Sequence, residues 1–253
     1  MKLKELALKL DDAALHAKPI AQLSSQHPFS LDDAYAIQKL SLQRRYDRGE
    51  KRVGIKLGFT SKAKMTQMGV HDMIWGRLTD QMLIEAGGIL PMDQYIHPRV
   101  EPEIAFLLKK PLDQSLTLGN AAEYVSGLSL AIEVIDSRYE NFRFSLEDVV
   151  ADNCSSTAFM VGNWLDVVTP IQDKAVVLRM DGEIAQEGNT QAILGNPWES
   201  LLAAGRLCLQ YGEELTEGDI VLAGAATAAS YVKAGQEVEV AIEGMGSLSL
   251  RIN

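Results

Sequence analysis

The stretch HPRVEPEIAFLL, residues 97–108, predicts a long strand with one acidic face and one apolar face. Residues two apart in a strand point to the same side, so Glu101 and Glu103 project together. The alternate positions, such as Ile104, then face the core. Pro102 cannot donate a ladder hydrogen bond, so this part of the strand should lie at an edge or an opening of its sheet.

The paired acids of this strand allow two interpretations. Glu101 and Glu103 either hold a divalent cation between them or form a solvated strand face. A third acid, Glu133, lies within the apolar run LAIEVI, where a buried carboxylate needs a cation, a hydrogen-bond donor or a proton. Its partner is either Arg138 or Arg143, in a structural ion pair, or a cation that all three acids share. Three carboxylates without thiol or imidazole ligands would suit Mg²⁺ or Mn²⁺ better than Zn²⁺.

A lysine between two glycines is the next candidate. In RVGIKLGF, residues 52–59, Lys56 lies on the face of a predicted strand opposite its apolar residues. It either has its pKa lowered by burial or a nearby cation and serves as an acid or base, or it points to solvent from an edge strand. A short helix is predicted from Ser61 to Gly69. Asp80 alone indicates a turn or cap residue.

The hydrophobic patterning predicts an α+β protein with a helical N-terminal cap, residues 1–51, on a catalytic β-rich domain, residues 52–253. Within the cap, Ser30 precedes two acids and predicts a helix N-terminus. Beyond it, Asp181–Gly182 predicts a hairpin turn between two strands. A late helix is predicted to begin at Asn196, followed by a proline at its first position.

Composition limits the classes of function. The chain has 253 residues with 24 Lys+Arg against 34 Asp+Glu, a formal charge of −10, which argues against nucleic-acid binding. It contains no apolar run near the roughly 20 residues that span a bilayer, and charges interrupt its N-terminal leucines, unlike a secretory signal. Cys154 and Cys208 are too few for a disulfide framework and indicate reduced thiols. We expect a cytoplasmic protein with no membrane partner.

Several long motifs, in this order, resemble the hydratase/decarboxylase branch of the fumarylacetoacetate hydrolase superfamily. They cover nearly the whole chain: DAYAIQ, VGIKLGFTSKAKMTQMGV, GRLTD, HPRVEPEIAF, EVIDSRYENF, VADNCSST, LGNPWESLLAA and GQEVEVAIEGMGSL. The resemblance implies a mostly-β core, the distorted β-sandwich or β-roll of that superfamily, with an N-terminal helical and mixed cap. It also implies a homo-oligomer and a complex with the next enzyme of the pathway, a hydratase that consumes the reaction product.

The resemblance also implies roles for individual residues. The three acids Glu101, Glu103 and Glu133 correspond to the metal ligands of the family, and Lys56 corresponds to its active-site lysine. Asp80 matches an acid near the substrate. Two further positions are Ser156, which matches a hydrogen-bond donor, and Ala223, which stands where the superfamily often has Thr before a glycine.

The resemblance implies a metal-dependent lyase of the meta-cleavage degradation of aromatic compounds, acting on a small 2-oxo dicarboxylate. The motifs TSKAKMTQMGV and EVIDSRYENF, with Asp136 where the hydratases often have Gly, favour decarboxylation of 4-oxalocrotonate (2-oxohex-3-enedioate) to 2-hydroxypenta-2,4-dienoate and CO2. The alternatives are hydration of that dienoate, hydrolysis of an acylpyruvate C–C bond, and a β-rich subunit without activity that assembles with a catalytic partner.

Overall fold

The computed structural model describes residues 3–61, 65–66, 72–85 and 87–253, and the chain begins with helices. The bounds of these first helices are α1 Leu3–Leu15, α2 Leu23–Gln26 and α3 Leu31–Asp47. The predicted helix between Ser61 and Gly69 falls largely outside the described residues.

Helix α3 starts at the position that the sequence predicts. The Ser30 side chain accepts a hydrogen bond from the Asp33 N–H, and the Asp33 carboxylate accepts one from the Ser30 N–H. This reciprocal capping satisfies two of the N–H groups that a helix leaves unpaired at its start. The buried side of α3, including Ala34 and Ile37, joins the main apolar cluster of the molecule, as does Leu6 of α1.

Within the described residues, the strands form two sheets, and two further helices lie between strands. The strands are β1 Arg52–Gly58, β2 Ile74–Thr79, β3 Ile89–Leu90, β4 Arg99–Leu108, β5 Val125–Ile135, β6 Ser156–Val161, β7 Ala175–Met180, β8 Glu183–Asn189, β9 Ile220–Leu222, β10 Ser230–Tyr231, β11 Glu237–Ile242 and β12 Gly246–Ile252. The helices are α4 Leu146–Ala151 and α5 Pro197–Gln210. Helix α5 confirms the predicted N-cap at Asn196, because the Asn196 side chain accepts a hydrogen bond from the Trp198 N–H.

The larger sheet is strongly curled. Its strand order is β2-β1-β9-β4-β5-β6, and β10 adds to β4. The chain that leaves β2 pairs with the opposite edge strand, because Leu83 bridges to Phe159 and the Ile84 N–H donates to the Phe159 carbonyl at 2.8 Å. The two edges of the sheet are therefore linked, and one of its faces encloses an interior.

The smaller sheet has the order β3-β12-β11-β7-β8. The turn between β7 and β8 is the predicted Asp181–Gly182 hairpin, with positive φ at both residues. These two curled sheets and the helices confirm the predicted mostly-β fold with helical elements at its N-terminus. No helix within the described residues combines the length and apolar content needed to cross a bilayer.

The position of Pro102 explains how a proline fits inside a central strand. Strand β4 pairs along its length with β5, while on its other side β9 and β10 cover only parts of it. Pro102 lies opposite the interruption between those two strands, where its carbonyl accepts from the Ala226 N–H. The sequence predicts an edge or an opening, and the structure shows the opening.

The change from helix to strand falls between Asp47 and Arg52. Even so, the main apolar cluster contains side chains from both sides of that boundary, such as Leu6 and Phe106. The division into a cap, residues 1–51, and a catalytic domain, residues 52–253, stays a prediction.

Candidate metal and substrate site

The interior face of the curled sheet carries the acidic residues. Glu101 of β4 lies directly opposite Glu133 of β5, and Glu103 follows two residues later on the same face. Lys56 of β1 reaches this face from across β9, because it pairs with Leu222, which also pairs with Ala105 of β4. Antiparallel register therefore brings together four residues that are up to 77 positions apart in the chain.

The three carboxylates form one compact cluster. One oxygen from each of Glu101, Glu103 and Glu133 lies within 4.8 Å of the others. The exposed fractions of these residues are 7%, 0% and 0%. The alternative of a solvated strand face is therefore wrong.

Lys56 is buried beside this cluster. Its Nζ lies 2.7 Å from Glu133 Oε2 and donates to the Cys154 carbonyl at 3.3 Å. The alternative of a solvent-facing lysine is wrong, because its side chain is 3% exposed. Glu133 does not take Arg138 as its partner, since that arginine pairs with Asp152.

The charges in the cluster shift its pKa values in opposing ways. Burial lowers the pKa of Lys56, but the three carboxylates, Glu133 above all, outweigh burial and raise that pKa above its ordinary value. A pKa of Lys56 lowered by a nearby cation stays a prediction. Burial and then repulsion from Glu133 raise the pKa of Glu103 well above its ordinary value. Burial likewise raises the pKa of Glu133, although Lys56 opposes this.

The donor set fits a hard divalent cation. Within the described residues, Glu103 Oε1 and Glu133 Oε1 are buried and accept no hydrogen bond, while Glu103 Oε2 accepts one from the Gly224 N–H at 2.7 Å. Buried carboxylate oxygens without a partner are costly, and a cation bound between them removes that cost. Oxygen ligands alone favour Mg²⁺, Mn²⁺ or Ca²⁺ over Zn²⁺.

A cavity of about 650 Å³ opens onto the cluster. Lys56, Glu101 and Ser155 contribute polar groups to its wall, and the aromatic rings of Phe142 and Phe144 contribute apolar surface. A cavity of this size is in the range that binds small molecules. This combination of charged, polar and apolar groups suits a small substrate with a charged head and a carbon chain.

Two residues suggested by the family resemblance do not line the cavity. Asp80 follows β2 and accepts a hydrogen bond from the Lys51 N–H at 2.9 Å, and it is not part of the cavity wall. The Ser156 hydroxyl is buried without a hydrogen-bond partner within the described residues, and its neighbour Ser155 lines the cavity instead. Roles for Asp80 and Ser156 stay predictions.

A left-handed turn that no sequence pattern predicts holds one side of the site. Asn153, Cys154 and Ser155 all have positive φ, between 50° and 57°. The Asn153 side chain both accepts from the Arg77 N–H at 2.7 Å and donates to the Arg77 carbonyl at 2.9 Å, which ties the turn to β2. The turn directs the Cys154 carbonyl toward Lys56. An asparagine opening this segment is a weak signal, since Asn tolerates left-handed backbone.

Comparisons with known proteins agree with this geometry. The family model for the fumarylacetoacetate (FAA) hydrolase C-terminal region matches residues 53–253. A 4-oxalocrotonate decarboxylase from a Pseudomonas species is 46% identical over 249 residues, covering 98% of this chain and 97% of that protein. The 2-keto-4-pentenoate hydratase 2 of Dechloromonas aromatica is 34% identical, covering 96% of this chain and 94% of that protein.

The fold is also that of a solved relative. The structure of 4-oxalocrotonate decarboxylase from Pseudomonas putida G7, complexed with magnesium and adipate, matches with a TM-score of 0.96. The two sequences are 36% identical, and the match covers 99% of this chain and 97% of the other.

Proposed function

Because the chain belongs to the fumarylacetoacetate hydrolase family, we propose that it is a carboxy-lyase that decarboxylates 4-oxalocrotonate with the help of a divalent metal ion. The observation that carries this proposal is the cluster of Glu101, Glu103 and Glu133 beside the buried Lys56. Relatives that carry the decarboxylase name are 46%, 38% and 37% identical over nearly the whole chain.

During the reaction, negative charge moves along the substrate from the C6 carboxylate to the C2 oxygen, where it has to be stabilised. As the C5–C6 bond breaks and CO2 leaves, its electron pair forms C4=C5. The C3=C4 pair shifts to C2=C3, and the charge arrives on the C2 oxygen. A divalent ion held by Glu101, Glu103 and Glu133 would supply positive charge at that oxygen. A proton on the same oxygen completes 2-hydroxypenta-2,4-dienoate.

Lys56 is the residue of this chain that is placed to assist. Its ammonium group is buried between Glu133 and the Cys154 carbonyl at the wall of the cavity. A buried ammonium group stabilises developing negative charge more strongly than one in water, and it can donate a hydrogen bond or a proton.

We assign Mg²⁺ as the metal, with Mn²⁺ as the ion that should replace it best. The ligands are carboxylate oxygens, which both ions prefer. The solved Pseudomonas putida relative is complexed with magnesium, which supports this choice. Homo-oligomer formation and a complex with the pathway hydratase stay predictions of the family.

Hydration of the dienoate is the second candidate function. It is supported by the hydratase of Dechloromonas aromatica, which is 34% identical to this chain. The two reactions use the same head group on the substrate and differ in whether a C6 carboxylate is present. The two functions are therefore distinguished by substrate rather than by metal.

The test is a spectrophotometric assay of the purified protein with 4-oxalocrotonate, with and without Mg²⁺. We expect metal-dependent loss of this substrate, release of CO2 and accumulation of the dienoate. Separate incubation with 2-hydroxypenta-2,4-dienoate should give little turnover. Consumption of the dienoate alone would establish the hydratase, and no metal-dependent reaction with either compound would refute both functions.

A further inference from the structure

An arginine stands next to the carboxylate cluster on the same strand. Arg99 precedes Glu101 by two residues on β4, so both project from the same face of the sheet. Both residues line the cavity onto which Lys56 also opens. Arg99 therefore contributes a positive charge at the wall of the cavity, outside the group of four residues to which the chemistry is assigned.

The guanidinium group of Arg99 is held in place by two aromatic rings. Its Cζ lies 4.0 Å from the ring centroid of Phe142 and 4.0 Å from that of Tyr231. One terminal nitrogen, Nη2, donates to the Tyr231 hydroxyl. Stacking on two rings fixes the orientation of a side chain that is otherwise mobile, so little entropy is lost when a ligand binds.

One donor of this fixed group has no acceptor. Arg99 Nε is buried and makes no hydrogen bond within the described residues. A buried donor without an acceptor is unfavourable, because it has lost its hydrogen bonds to water. The guanidinium group as a whole lines the cavity, and carboxylates are the ligands that a guanidinium fork matches best.

The spacing suits a six-carbon dicarboxylate. Residues two apart on a strand are separated by about 7 Å. The two carboxylate carbons of an extended 2-oxohex-3-enedioate are roughly 6 to 7 Å apart. A substrate whose C1 end lies at the carboxylate cluster can therefore present its C6 carboxylate to Arg99.

We propose that Arg99, held between Phe142 and Tyr231, binds the C6 carboxylate and makes the enzyme selective for dicarboxylates over monocarboxylates. This inference rests on the proposed function, because that function defines which carboxylate lies at the far end of the cavity. Arg99 is a specificity residue in this arrangement. Glu101, Glu103, Glu133 and Lys56 carry the chemistry.

The chemistry decides which kinetic constant this contact affects. The charge on the C6 carboxylate is lost as CO2 forms, so its ion pair with Arg99 is stronger in the bound substrate than in the transition state. Such a contact improves substrate binding and does not raise kcat. The dienoate product no longer has a C6 carboxylate, so it loses this contact and should leave the site readily.

A second arginine on the cavity wall provides the matched control. Arg143 also lines the cavity, but it is exposed to solvent. Arg99 is half-buried and stacked, and it shares the strand face of Glu101. An exposed arginine is flexible and screened, so its contribution to carboxylate binding should be small.

The test compares two unreactive inhibitors that differ only at C6. These are 2-oxoadipate, with a C6 carboxylate, and 2-oxohexanoate, with a methyl group there, both measured against the Mg²⁺-loaded enzyme. The wild-type protein should prefer 2-oxoadipate by about 10- to 100-fold. Arg99→Met should remove most of this preference and leave the affinity for 2-oxohexanoate within about threefold. The same variant should raise KM for 4-oxalocrotonate and leave kcat unchanged or somewhat higher.

Arg143→Met should keep the preference for 2-oxoadipate, and Tyr231→Phe should reduce it only in part, because the stacking ring remains. Equal weakening of both inhibitors in Arg99→Met would overturn the proposal, since it would indicate a structural role. An unchanged preference in that variant would also overturn it. The inhibitor preference does not depend on turnover, so the two proposals can fail separately. A wild-type protein that prefers 2-oxoadipate but does not decarboxylate 4-oxalocrotonate would refute the proposed function. The carboxylate contact assigned to Arg99 would still stand.

Discussion

At the residue scale, the charges of the site determine what it can bind. Glu101, Glu103 and Glu133 carry three negative charges when ionised, and Lys56 carries one positive charge, so the buried group has a formal charge of −2. Burying net charge is costly unless it is neutralised. Protons do this in part, since the pKa values of Glu103 and Glu133 are raised. A divalent cation does it completely, which explains why three buried acids and one lysine are compatible with a folded protein.

Glu103→Gln should weaken metal binding. The substitution removes one negative charge from the cluster, while the amide oxygen can still accept from the Gly224 N–H, so the fold is preserved. We expect the dissociation constant for Mg²⁺ to rise at least about tenfold, which corresponds to about 1.4 kcal/mol. Isothermal titration calorimetry measures this directly. Glu183→Gln, at an exposed position of β8, is the control, and an unchanged titration for Glu103→Gln would contradict the metal assignment.

Lys56→Met should separate catalysis from metal binding. Methionine fills much of the same volume without the ammonium group, so kcat should fall by about 10²- to 10⁴-fold. Mg²⁺ affinity should stay the same or increase, because a positive charge 2.7 Å from Glu133 is removed. Steady-state kinetics and a metal titration on one preparation check both statements. A variant with full activity would show that Lys56 has no part in the reaction.

At the element scale, the left-handed turn at residues 153–155 and strand β2 hold the lysine side of the site. Gly76 of β2 lies against this turn, where an added Cβ would lie 2.4 Å from the Asn153 carbonyl oxygen. That distance is too short for any side chain, so the turn can approach β2 only at a glycine. The same turn supplies the carbonyl that accepts from Lys56.

Gly76→Ala should therefore damage activity through the turn. Displacement of the Asn153 backbone would move the Cys154 carbonyl away from Lys56, and strain of this kind costs about 1–3 kcal/mol. We expect kcat to fall by about tenfold or more and urea unfolding to shift to lower concentration. Gly119→Ala is the matched control, because an added Cβ there meets its nearest atom at 3.9 Å. Equal kinetics in the two variants would show that the turn does not position Lys56.

The comparison between elements shows which features a sequence can predict. The acidic face of β4 and the capping of α3 follow from local alternation and from side-chain hydrogen bonds within three residues, so both predictions are confirmed. The turn at residues 153–155 depends on Arg77, which is 76 residues away. No local pattern encodes that contact. The position of Ser155 in the cavity wall follows from the same turn, so no local pattern predicts it either.

The position of the three acids likewise depends partly on local pattern and partly on long-range pairing. Sequence spacing places Glu101 and Glu103 on one face, but it cannot show that Glu133 lies opposite them. That placement depends on the register between β4 and β5, and a slip of one residue would turn Glu133 to the other face. The complete set of site residues is implied by the resemblance to a known family and not by the spacing.

At the scale of the whole molecule, a buried carboxylate and two half-exposed arginines attach α1 to α3. Asp11 of α1 is almost fully buried, and it accepts hydrogen bonds from Arg44 and Arg48 of α3 at 2.6 to 2.7 Å. Burial raises the pKa of Asp11, but the two arginines outweigh it and hold that pKa below its ordinary value. The carboxylate therefore stabilises the packing of α1 on α3 when it is ionised.

Asp11→Ala should lower the stability of the whole chain, because α1 contributes to the main apolar cluster. Hydrogen bonds to charged groups contribute about 1.5–3 kcal/mol. Arg44 and Arg48 are about 40% exposed, which reduces the expected loss to about 1–2 kcal/mol in urea unfolding at pH 7. Asp12→Ala is the matched control, since that neighbouring side chain is 49% exposed and 3.5 Å from Arg44, and it should cost less than about 0.5 kcal/mol.

The contribution of Asp11 to the free energy of unfolding should decrease at low pH. A carboxyl group whose pKa is lower in the folded state stabilises that state above its unfolded pKa of 3.8, and the contribution is lost as pH falls through the folded value. The difference in unfolding free energy between the wild type and Asp11→Ala should therefore be constant from pH 7 to about 5 and shrink below about pH 4. A difference that instead grows on acidification would show that Asp11 is not held as a carboxylate by the two arginines, and that apolar contacts alone attach α1.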